Sequence, residues 1–143
     1  MPYIPDKNRR QYLKETLDPI NGGELNFILY YLSLKYLDKV GTSYGKCEEL
    51  IGIFDELILR SAGGTSSFPF KQHSTEEWFQ SVKKDPINET ELLALFKSIL
   101  GRYVKNTGKH PLRTLRCCQL EFYRRITTPY EDKKIIENGD VTP

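Results

Sequence analysis

The chain has 143 residues, of which 38% are hydrophobic, 12% aromatic and 28% charged, with a formal net charge of +2. That length suits one domain with a packed core, and the apolar content excludes a disordered chain. The small net charge argues against a nucleic-acid binder that uses its whole surface, leaving only a local basic patch for such a role.

The opening MPYIP reads as extended, because each proline disfavours helix at the residue before it. Asp6 can cap a first helix over about 6–18, which Pro19 and the Asn21-Gly22-Gly23 turn bring to an end. A second helix over about 24–40 is apolar on nearly every side, so it is expected at the centre of the fold or at a subunit interface. Its run LNFILYYLSLKYL is interrupted by Ser33 and Lys35 and falls short of the roughly 20 apolar residues that cross a bilayer.

Gly41 ends that helix, and Thr42 or Ser43 caps a third over about 44–61. Gly52 within it costs about 1 kcal/mol relative to alanine, which suggests a close backbone contact there. The stretch 61–74 is rich in Gly and Ser and reads as a loop carrying Phe68 and Phe70. Ser74 and Glu77 form a capping box for a short helix, STEEWFQSVKK, which includes Trp78 and stops at Pro86.

Asn88 with Glu91 opens the next helix, NETELLALFKSILGRYVKN, and Gly108 and Pro111 mark its end. In PLRTLRCCQLEFYRRI the helical period puts Leu112, Leu115, Gln119, Phe122 and Ile126 on one side. After a break at TTP, YEDKKIIEN reads as a last short helix stopped at Gly139. The expected fold is all-α: a single compact domain, 1–143, of six or seven helices.

Chemistry-bearing residues concentrate near the end of the chain. Lys109, Arg113, Arg116, Arg124 and Arg125 face only Glu121, a local charge of about +4 that suits phosphate recognition. Tyr123 and Tyr130 offer stacking faces, while Lys133, Asn138 and Asp140 offer polar contacts to a base or sugar. The same residues also suit an ordinary helix end, with acids at its start and Asn-Gly at its stop.

Carboxylates Glu48, Glu49, Asp55 and Glu56 lack a facing set on a second helix, so no metal site is expected. His73 and His110 have no zinc-ligand spacing, and neither a P-loop, a dinucleotide fingerprint nor a nucleophile elbow occurs. Cys117 and Cys118 are adjacent, a poor geometry for bridging each other, so reduced thiols are expected. The polar start MPYIPDKNRR gives no sign of a secretory leader.

The segments MPYIP, GELNFILYYL and above all LEFYRRITTPYEDKKIIENGDV resemble a family of short proteins encoded by bacteriophages and related elements. The resemblance covers about 1–58 and 117–141 and sets apart 60–115 as an insertion. It implies a phage accessory protein acting in the cytoplasm of an infected cell, and by its setting a counter-defence factor. No family activity carries over to particular residues.

The combined expectation is a non-enzymatic, homo-oligomeric protein without cofactor or membrane segment. It would sequester an anionic, nucleotide-like ligand through Arg113, Arg116, Tyr123, Arg124, Arg125, Tyr130, Lys133, Asn138 and Asp140. The alternative is inhibition of a host protein, anchored by Phe68, Phe70 and Trp78. Nucleic-acid binding and metal-dependent nucleotide hydrolysis rank below both.

Overall fold

The structure, a computed structural model, describes residues 18–62, 86 and 88–139. The helices expected at 6–18 and in STEEWFQSVKK, together with Phe68, Phe70, His73, Trp78 and Asp140, lie outside the described residues. Those residues form an all-α fold with no strand among them.

Helix α1 spans Gly22–Val40, and its N-cap is Asn21, whose side chain accepts the Glu24 amide at 2.8 Å. Glu24 reaches back to accept the Ile20 amide at 3.1 Å, so two helix-start donors are satisfied reciprocally. The Asn21-Gly22-Gly23 stretch therefore starts a helix rather than forming a free turn. Gly41, at φ 88°, ends α1 and donates to the Leu37 carbonyl.

Helix α2 spans Tyr44–Ser61 and starts at Ser43, whose hydroxyl accepts the Lys46 amide at 3.1 Å. Helix α3 spans Glu89–Thr107, capped by Asn88 and closed by Gly108 in the left-handed region at φ 68°. Helix α4 starts as Leu112–Phe122, passes through a π turn at Tyr123–Thr127 and continues as a C-terminal arm, Thr128–Asn138.

The break expected at TTP is thus corrected, and the described residues make four helices. Pro129 has no N–H to offer the Arg125 carbonyl, and its ring would strike that carbonyl in a regular α turn. The chain widens instead: the Thr128 amide bonds to Tyr123, five residues back, and Thr127 and Thr128 keep helical dihedrals.

Helices α1 and α2 each pack against both α3 and α4, which explains why α1 is apolar over most of its circumference. Its Leu25, Ile28 and Leu29 are wholly buried, and the Phe54 and Phe96 rings meet at 5.6 Å where α2 faces α3. On α4 the buried stripe is Leu115, Cys118 and Phe122, with Leu112 and Ile126 half-buried. The contact expected at Gly52 is absent: the residue is exposed, and an added Cβ would meet nothing within 4 Å.

The chain before α1 is held by Arg102. Its Nε donates to both Asp18 carboxylate oxygens at 2.9 and 3.0 Å, and Asn106 donates to Asp18 at 2.6 Å and to the Pro19 carbonyl at 3.1 Å. No described helix is long and apolar enough to cross a membrane.

Candidate functional site

The helical period of α4 brings the sequence-predicted residues onto one rod but divides them among several environments. Arg113 and Arg116 lie on its exposed side, three residues apart, and neither has an ion pair or hydrogen bond among the described residues. They follow a helix start at which Pro111 supplies no side-chain cap and His110 Nδ1 accepts the Leu112 amide at 3.2 Å. His110 Nδ1 therefore serves the backbone at that helix start.

Arg124 and Arg125 are engaged differently. Arg124 Nη2 reaches both Glu121 oxygens at 2.9 and 3.0 Å, while Arg125 Nε sits 2.6 Å from the same carboxylate. Glu121 is only 15% exposed, so this shared acid offsets about one unit of the charge that the two arginines bring. Arg125 also lies beside the Tyr30 hydroxyl. Burial raises the Tyr30 pKa above its ordinary value, and the guanidinium opposes the rise.

Tyr123 is 43% exposed, and its hydroxyl donates to Glu131 at 3.5 Å. Tyr44 stands nearby, its pKa raised by a hydrogen bond to Glu48, then by the Glu48 charge, with Glu131 and Tyr123 adding to the effect. Tyr123 thus belongs to an acidic and aromatic cluster with Tyr44, Glu48 and Glu131. That cluster exists because α2 packs against the π turn. The thiol beneath it, Cys47, is buried, and burial pushes its pKa up.

In the arm, Tyr130 is half-buried with Lys134 Nζ 5.6 Å from its ring centroid, and Lys134 pairs with Glu137 at 3.1 Å. Lys133 and Asn138 are exposed. No residue of the arm is buried.

The acidic candidates on α2 have other partners. Glu49 pairs with Lys46 at 3.1 Å and Glu56 with Arg60 at 3.1 Å, while Asp55 accepts from Gln119 at 2.7 Å. Among the described residues, no group of three or more His, Cys, Asp or Glu side chains could hold a metal ion. Cys118 is fully buried, and burial pushes its thiol well above the ordinary range.

Comparison with known proteins gives one match: residues 71–141 fit the family model described as a domain of unknown function, DUF6899. The matched span starts within the segment that the sequence resemblance sets apart as inserted and runs through the closing motif. No curated protein and no solved structure matches the chain.

Proposed function

We propose that the chain is a non-enzymatic binding protein that holds an anionic, nucleotide-like ligand against the exposed side of α4. The observation that carries this reading is the Arg113–Arg116 pair, exposed and without an ion pair among the described residues. Two guanidinium groups one helical turn apart on a rigid element suit bidentate contact with phosphate oxygens, and they need not abandon another partner first. Arg124 and Arg125 lie about 12 Å further along the axis at 1.5 Å per residue, and serve as a secondary contact limited by Glu121.

In the phage setting that the sequence resemblance implies, capture without turnover would withdraw a nucleotide signal from a host defence. The test is a thermal-shift screen of the purified chain against linear nucleotides, cyclic nucleotides and ADP-ribose, with bound ligand recovered and weighed. A ligand present at 100 times its dissociation constant stabilises the fold by about 2.7 kcal/mol. A shift with intact ligand supports sequestration, and chemical alteration of the ligand would make the protein an enzyme. No shift across the panel would favour inhibition of a host protein.

A further inference from the structure

Where α2 begins against the π turn of α4, four side chains meet whose chemistry the ligand reading does not use. Tyr44 and Glu48 stand one turn apart at the start of α2. Tyr123 and Glu131 are eight residues apart, which on a regular α-helix would set them about 80° apart around the axis. The extra residue in the π turn takes back about 100°. The two therefore fall nearly in line, and the Tyr123 hydroxyl reaches the Glu131 carboxylate. Glu48 hydrogen-bonds Tyr44, and Glu131 and Tyr123 act on the same phenol, which joins the two pairs into one group.

The group is acidic and open. Neither Glu48 nor Glu131 has an ion pair among the described residues, and Tyr44 is 54% exposed. Beneath it, Thr127 lies one turn from both Tyr123 and Glu131, and is buried beside the Cys47 thiol. Burial raises the pKa of that thiol and the Thr127 hydroxyl opposes the rise. Thr127 Oγ1 nevertheless makes no well-formed hydrogen bond among the described residues. The floor of the group is thus polar, with unused hydrogen-bonding capacity.

We infer that this group receives the guanidinium of an arginine presented by a partner protein. Its polar atoms are carboxylate and phenol oxygens, so it accepts more hydrogen bonds than it donates and calls for a cation rich in N–H groups. Guanidinium brings five donors in a planar fork that fits a carboxylate and also stacks on aromatic rings. A quaternary ammonium has no donor, and a lysine ammonium is more strongly hydrated and cannot lie flat on a ring. The two carboxylates do not make a metal site, since no group of three or more His, Cys, Asp or Glu among the described residues could hold an ion.

The side chains stand on an open surface, where a free small molecule would bury little of itself. A partner protein brings the surrounding surface that excludes water, and Tyr and Arg are residue types that anchor such interfaces. Arg113 and Arg116 take no part, so the inference stands apart from the ligand reading.

The test is an amide-resolved NMR titration of the full chain with the tripeptide Gly-Arg-Gly, acetylated and amidated, beside its Gly-Lys-Gly counterpart and free L-arginine. Amides over 43–48 and 123–131 are expected to shift with a dissociation constant of about 1–10 mM, as suits a single side chain. The lysine peptide is expected to bind more weakly. Free L-arginine is also expected to bind more weakly, because its own carboxylate meets Glu48 and Glu131. Glu48→Gln with Glu131→Gln should lower the affinity roughly tenfold. Tyr44→Leu should lower it about threefold, and Tyr44→Phe, which keeps the ring, by less. Circular dichroism confirms that each variant folds. Absence of shifts up to the solubility limit of the arginine peptide overturns the inference. So does a lysine peptide that binds as tightly, undiminished affinity in the double glutamine variant, or tighter binding of free L-arginine, which would assign the group to a small molecule.

Discussion

The Thr128 amide bonds to the Tyr123 carbonyl, five residues back, and so carries α4 past Pro129 without a break. The extra residue in that turn rotates everything after it by about 100° relative to a regular α-helix. The direction in which the arm presents Asp132, Lys133 and Ile136 is thus set by this one hydrogen bond.

Replacing Pro129 by alanine supplies the missing N–H and removes the ring. The expected gain is about 1 kcal/mol, short of the roughly 3 that an interior proline costs, because the π turn already relieves the clash. Hydrogen exchange should show greater amide protection over 127–131 in the variant. Unchanged protection and stability would mean that the π turn is imposed by the packing of α2 instead.

Asp18 and Arg102 form the most buried ion pair described, with side-chain exposures of 19% and 7%. Removing the carboxylate while keeping the guanidinium leaves a charge in a poorly solvated place. Asp18→Ala is expected to cost about 2–3 kcal/mol, the lower part of the range for broken buried pairs, because Asp18 keeps some contact with water. Urea denaturation reads the loss, and a cost below about 0.5 kcal/mol would reduce the pair to a surface contact.

Gly52 lies exposed in α2 with open space where a Cβ would be. Gly52→Ala should therefore raise stability by about 1 kcal/mol through helix propensity and a smaller unfolded-state entropy. A loss in thermal unfolding would reveal a contact that the fold does not show.

The buried thiols give stability an alkaline limit. Cys47 and Cys118 both have raised pKa values in the folded chain, so the native state keeps protons that the unfolded state releases above the ordinary thiol value of 9.0. Unfolding stability is accordingly full below that pH and falls as pH rises beyond it. Denaturation measured at pH 7 and pH 10 should show the fall, and Cys118→Ala should flatten it even though the cavity lowers stability at both. An equal slope in wild type and variant would refute the assignment to Cys118.

Helix starts were legible at Ser43 and Asn88 because each is an N-cap residue type followed at once by helical periodicity. Asn21 was not, since two glycines after it resemble a turn, and only the reciprocal bonds with Glu24 show otherwise. The proline rule predicted a stop at Pro129 and missed the π turn, a backbone solution with no side-chain signature. The pairing of Glu121 with Arg124 and Arg125 is implicit in their spacing of three and four residues, whereas the meeting of Tyr123, Tyr44 and Glu131 depends on how α2 packs against the turn. The open Arg113–Arg116 pair emerges only once the neighbours of every arginine are known.

Isothermal titration calorimetry of Arg113→Ala/Arg116→Ala beside Arg124→Ala/Arg125→Ala, against the nucleotide or ADP-ribose probe that shifts the wild type, tests the ligand site most directly. Loss of the first pair is expected to weaken binding by about 100-fold, equivalent to about 2.7 kcal/mol, and loss of the second by less than about tenfold. Undiminished affinity in the folded Arg113→Ala/Arg116→Ala variant would contradict the account.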